Sequence, residues 1–100
     1  MRRVKRIPLT GIEITGSHPA FRKHIPNGTL VLTQDLIDDG FGGTLPGMRE
    51  WKLETSYEAM IPFSGETVDM VSGSFAGRCF VLSISGESMT FQGTGELKGI

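Results

Sequence analysis

A single cysteine, two histidines and no long apolar run set the first limits on what this chain can do. With only Cys79, no disulfide can form within the chain. The cysteine lies in Arg78-Cys79-Phe80-Val81-Leu82, where a thiol behaves as a small buried hydrophobe, and a cytosolic origin fits. No apolar stretch approaches the about 20 residues of a membrane-spanning helix, so no membrane partner is expected. The basic start lacks the apolar segment of a secretory signal, and without secretion Asn27-Gly28-Thr29 reads as a turn rather than a glycosylation site.

The same scarcity excludes most catalytic chemistry. A zinc site takes three or four ligands, and His18 and His24 have no cysteine or third histidine to join them. Asp35, Asp38 and Asp39 lack the calcium-loop spacing and its final glutamate, and read as a solvated acidic turn. Gly40-Phe41-Gly42-Gly43, Gly73 to Gly77 and Gly93-Thr94-Gly95 match neither the phosphate-loop lysine pattern nor the dinucleotide fingerprint, so turn and bulge chemistry accounts for them. No serine stands in a nucleophile elbow. The expectation is a protein that is not an enzyme, with no catalytic residues, no cofactor and no metal.

What the chain has in quantity is glycine, 14 of 100 residues, beside a hydrophobic share of only 38%. That balance suits short strands and many turns better than packed helices. The length is that of a single domain, spanning 1–100, able to bury roughly two-thirds of its unfolded surface. Because apolar area is scarce, association with further copies could supply core that one copy lacks.

Net charge is −1, but it is unevenly placed. Arg2, Arg3, Lys5 and Arg6 put four positive charges in a basic N-terminal arm of about residues 1–8. The remainder carries six Lys or Arg against eleven Asp or Glu, a balance of −5. A basic arm on an acidic body suits a solvated tail, docking onto an acidic neighbour, or nucleic acid.

The period-two signal is clearest at Trp51, Leu53, Thr55, Tyr57, Ala59 and Ile61, which alternate with Glu50, Lys52, Glu54, Ser56 and Glu58. Alternation over this length predicts a strand with one face on a core. Trp51, Tyr57 and Phe80 could form a stacking platform for bases, but the shared apolar face of Trp51 and Tyr57 favours core. Val4 to Thr15 reads as extended, with Pro8 at an edge or strand start. The segment from His18 to Asn27, with Pro19 and Pro26, reads as a loop, and Thr29 to Leu32 as a short strand. Gln34 to Asp39 could make one helical turn, and a flexible loop should run from Gly40 to Gly47. Val68 and Met70 alternate with Thr67 and Asp69, ahead of a central strand at Arg78 to Ser83. Ser85-Gly86-Glu87-Ser88 predicts a hairpin into Met89 to Gln92, and a strand continuing past Gly93-Thr94-Gly95 through Leu97. The expected fold is all-β: an antiparallel sandwich or small barrel of about 6–7 strands with at most one short helix.

Three segments carry a family resemblance, mainly over residues 47–100. Gly47-Met48-Arg49-Glu50-Trp51-Lys52-Leu53-Glu54-Thr55 has an aromatic opening an alternating strand, and Met89-Thr90-Phe91-Gln92-Gly93-Thr94-Gly95-Glu96-Leu97 carries a Gly-x-Gly-x-Leu ending. Between them lies Phe75-Ala76-Gly77-Arg78-Cys79-Phe80-Val81. This pattern resembles the tail-tube (major tail) proteins of long-tailed bacteriophages. The resemblance implies a β-sandwich forming hexameric rings, stacked into a tube through which DNA passes without specific binding. It implies a structural virion protein of the tail, made in the bacterial host cytoplasm, with itself and other phage tail proteins as partners. Contacts between subunits would then fall to Arg2, Arg3, Lys5, Arg6, Phe41, Leu45 and Met48. The alternative expectation is a small β-barrel binding module for nucleic acid or a peptide.

Overall fold

The computed structural model describes residues 2–17, 20–57, 61 and 66–99. The readings that fall on His18, Pro19, Glu58, Ala59, Pro62 and Ser64-Gly65 lie outside them.

Six antiparallel strands form one sheet: β1 (Arg2–Ser17), β2 (Ala20–Asp38), β3 (Thr44–Ser56), β4 (Val68–Ser72), β5 (Phe75–Ser85) and β6 (Ser88–Gly93). The sheet closes on itself in the order β1-β2-β3-β6-β5-β4, through Glu13–Thr15 of β1 paired with Asp69–Val71 of β4. Closure removes the edges that an open six-stranded sheet would expose.

The predicted alternation of β3 holds where it meets β6. Trp51, Leu53 and Thr55 are buried, and the same pattern recurs at Val68 and Met70 of β4 and at Met89 and Phe91 of β6. Together with Ile12, Ile14, Ile25, Leu30, Cys79 and Val81 they fill the barrel. Tyr57 departs from the prediction: it sits past the end of β3 and is exposed, its N–H donating to the Glu87 carbonyl at 2.7 Å. The hairpin at Ser85–Ser88 is as predicted.

The first half differs from the loop-rich reading. The segment from Ala20 to Asp38 is one long strand, with neither the loop expected through Asn27 nor the helical turn at Gln34–Asp39, and no helix occurs among the described residues. Pro26 is tolerated because it lies opposite Gly11 at a point where the ribbon rolls over. On β1 the buried positions change from odd (Leu9) to even (Ile12, Ile14) across Gly11, whose φ is 62°. A proline lacking an N–H costs least at such an irregularity. At Gln34–Asp39 a β-bulge replaces the predicted helix, between Gln34 and Leu36, and the Gln34 amide donates to the Gly47 carbonyl at 2.8 Å.

Residues 94–98 run on beside β5 without extending β6. The Thr94 N–H and hydroxyl donate to the Arg78 carbonyl, Lys98 bridges Ala76, and Leu97 is buried. Trp51 organises this end. Its indole N–H donates to the Gly95 carbonyl at 2.9 Å, and its ring fills the space that a Cβ on Gly93 or Gly77 would need. The Gly-x-Gly pattern therefore includes one glycine, Gly93, that is there because a tryptophan lies against its backbone.

The long strands outrun the barrel. β3 pairs with β6 only from Lys52 to Ser56, so from the row Arg6–Val31–Lys52 outward residues 2–6, 31–38 and 44–52 form a three-stranded tongue. The molecule measures 50 × 26 × 24 Å, and its radius of gyration is 14.9 Å. A compact domain of this length would have about 13 Å.

Candidate interaction surface

All seven residues that the sequence nominated for contacts between subunits lie on this tongue. Arg2, Arg3, Lys5 and Arg6 are on its β1 strand, Phe41 is in the turn at its tip, and Leu45 and Met48 are on β3. The basic segment is thus a strand of the sheet and not a free arm. Register decides which way each residue faces. Arg3, Gln34 and Arg49 form one row across the three strands, Lys5, Leu32 and Trp51 the next, and Ile7, Leu30 and Leu53 the third. Leu30, Trp51 and Leu53 are core, so these rows continue the inner face of the barrel. Arg2, Val4 and Arg6 face the opposite way, with Asp35, Thr33 and Val31.

The two faces differ in charge. On the outer face Arg2 pairs with Asp35 at 3.1 Å and Arg6 with Glu54 at 3.3 Å, both on the surface. The inner face of the tongue carries Arg3, Lys5 and Arg49 with no acidic residue in the same rows. Arg49 donates to the Gln34 side-chain oxygen at 3.0 Å, which orients the guanidinium without neutralising it.

At the tip, Asp38 and Asp39 cap the turn. Asp38 Oδ1 accepts the Gly40 N–H at 2.9 Å, and Asp39 Oδ1 accepts those of Phe41 and Gly43 at 2.7 and 3.1 Å. These carboxylates therefore hold a loop and are not gathered as a metal site. Among the described residues no three His, Cys, Asp or Glu side chains are grouped to hold a metal ion. The fixed turn presents Phe41 at 94% exposure. The five most exposed large apolar side chains among the described residues are all on the tongue: Phe41, Met48, Val4, Ile37 and Leu45. Val4 and Met48 lie on the outer face and Ile37 and Leu45 on the inner, and exposed large apolar side chains gathered on one element mark sites of association.

Beside the inner face lies an open cleft of about 900 Å³ whose lining includes Leu32, Arg49, Trp51 and Leu97 together with Glu50 and Glu96. A second cleft of about 690 Å³, near Met70, Ala76 and Arg78, shares Thr94, Gly95 and Glu96 with it.

Other candidates are spent on structure. His24 Nδ1 lies 3.8 Å from Glu13, which also accepts from Arg22 at the surface, and the Ser72 and Ser88 hydroxyls donate to the carbonyls of Thr10 and Ser85. Trp51 is buried and Tyr57 lies beyond the strand, so no stacking platform of Trp51, Tyr57 and Phe80 forms. His18 lies outside the described residues.

Sequence reasoning missed Val4, Ile37 and Arg49. Ile37 was hidden by the helical reading of its segment, and Arg49 gains meaning only from its row with Arg3, which pairing between distant strands creates. Comparison with family models, curated proteins and solved structures gives no match.

Proposed function

We propose that this chain is a non-catalytic structural subunit of a phage tail tube, assembling with copies of itself into stacked hexameric rings that conduct DNA. In this reading it works in the virion tail and meets other tail proteins. The single observation that carries the self-assembly is the concentration of exposed apolar side chains on a protruding, hydrogen-bonded tongue. A one-copy protein has no reason to hold Phe41 out on a capped turn, because an exposed ring gains nothing by being rigid. The resemblance of residues 47–100 to tail-tube proteins supplies the tube. The acidic balance outside the basic segment suits a conduit that must not grip DNA.

A second reading, a barrel module binding nucleic acid, draws on Arg3, Lys5 and Arg49, which share one face without acids. Two measurements separate the readings. Negative-stain microscopy and sedimentation over a concentration series are expected to show rings or longer polymers. A strict monomer at high concentration in several salts, with salt-dependent affinity for DNA, gives the decision to the binding module.

A further inference from the structure

The tongue carries two patches of opposite character. From Leu36 to Met48 the only charges are Asp38 and Asp39, flanking the exposed apolar residues Ile37, Phe41 and Leu45. Each carboxylate uses Oδ1 to hold the turn. Closer to the barrel, a cleft is lined by Leu32, Gln34, Trp51, Leu97 and Arg49, and Arg3 and Lys5 lie beside it in the rows of Gln34 and Leu32. That cleft, about 900 Å³, has room for a phenyl ring.

The two patches cannot meet within one molecule. Both belong to the same β2–β3 ladder, and the row at Gln34 is separated from the turn by at least four strand residues, roughly 13 Å of extended backbone. Rigid pairing on both sides of the bulge keeps them apart.

We propose that the Asp38–Gly43 turn of one copy seats in the cleft of a second copy, with Phe41 as the apolar anchor and the Asp38 and Asp39 carboxylates facing the partner's cationic row. This deepens the self-assembly reading by naming the contact, and it rests on that reading. Three features support a second copy as the occupant. The charges are opposite in sign, −2 at the turn against three cations on the inner face. The anchor is pre-ordered by three backbone N–H donors to carboxylate, so little conformational freedom is lost on docking. Both surfaces are also present in equal number wherever the protein is. Glu50 and Glu96 also line the cleft and repel the turn's carboxylates, which directs them to the side of Arg49 and the neighbouring Arg3.

The test uses two charge-reversed variants of the full chain, Arg3→Glu/Lys5→Glu and Asp38→Lys. Asp39 is left intact because it holds two of the turn's N–H groups. Circular dichroism confirms that each folds. In sedimentation velocity each alone is expected to need about tenfold more protein to associate than the native chain, as is Phe41→Ser, a truncation of an interface anchor. An equimolar mixture of the two variants is expected to recover pairwise association, because the native turn of Arg3→Glu/Lys5→Glu meets the native inner face of Asp38→Lys. Native-like association of either variant alone, or a mixture no better than its parts, overturns the proposal while leaving self-assembly standing. A native chain that stays monomeric throughout overturns both. Loss of binding to a single-stranded oligonucleotide by Arg3→Glu/Lys5→Glu, with association unchanged, transfers the cationic row to nucleic acid and overturns it as well.

Discussion

Trp51 shows how much of the barrel end rests on one side chain. Its ring lies against the backbone of Gly93 and Gly77, and its N–H finds the Gly95 carbonyl. Trp51→Ala is expected to cost about 3–5 kcal/mol, whereas Lys52→Ala, on the other face of the same strand, should cost under about 0.5. Gly93→Ala forces a methyl into the indole and should cost about 1–3 kcal/mol. Gly95→Ala meets nothing within 4 Å and should be neutral within about 0.5 kcal/mol. Denaturant titrations of the four variants check the assignment, and equal losses at Gly93 and Gly95 would show the tryptophan packed elsewhere. Cys79 gives a second handle at this scale. Burial, with the charge of Asp69 as the smaller cause, pushes its thiol from 9.0 up to about 12. The folded state holds this proton more tightly than the unfolded chain does. The resulting stability is complete below about pH 9 and is lost as pH rises toward 12, at up to about 1.4 kcal/mol per pH unit. Urea titrations from pH 8 to 10.5 should therefore fall more steeply for the native chain than for Cys79→Ala. Parallel curves would mean that the thiol titrates normally.

Among the elements, legibility followed the source of the signal. β3, β4 and the β5–β6 hairpin were readable because each buries one face within a few residues, which period-two patterning or a glycine turn records locally. β2 was not readable as a strand. Its proline sits at the roll-over opposite Gly11, and its outer half carries a bulge that only the Gln34 amide and β3 explain. The candidate surface was half legible: seven residues were nominated singly, but their union on one tongue depends on pairing over some thirty positions, as in Arg2 with Asp35. The tongue is also energetically separate from the barrel. Leu9, Ile12 and Ile14 of β1 are core, whereas residues 2–6 contribute ladder bonds and surface ion pairs worth about 0–1 kcal/mol each. Deleting residues 2–6 should lower stability by less than about 2 kcal/mol and leave the β-sheet circular dichroism signal intact, while deletion through Ile14 should unfold the chain. If removal of residues 2–6 alone abolishes the cooperative transition, the tongue and barrel are one unit.

At the scale of the molecule, the barrel hides its edges and the tongue keeps two. Arg2–Leu9 of β1 and Thr44–Glu50 of β3 each have a strand partner on one side only among the described residues. Free edges of this length invite indiscriminate pairing, and natural sheets restrain it with proline and positive charge. Both devices occur here: Pro8 with Arg2, Arg3, Lys5 and Arg6 on the first edge, and Pro46 on the second. The basic residues thus have a role in the unassembled chain that is separate from any partner. Two β1 edges repel each other by like charge, so pairing between copies of that edge is suppressed. The triple variant Arg3→Thr/Lys5→Thr/Pro8→Thr keeps residues with strand preference and removes the proline and two of the charges. Light scattering at fixed concentration should rise over hours for this variant, with a gain in thioflavin fluorescence, while the native chain stays clear or forms only ordered assemblies. The increase should be larger at high salt for the native chain than for the variant, since screening removes a repulsion that the variant has already largely lost. A variant as clear as the native chain at every salt concentration would mean that strand twist or the covering of the edge, and not its charge, guards the tongue.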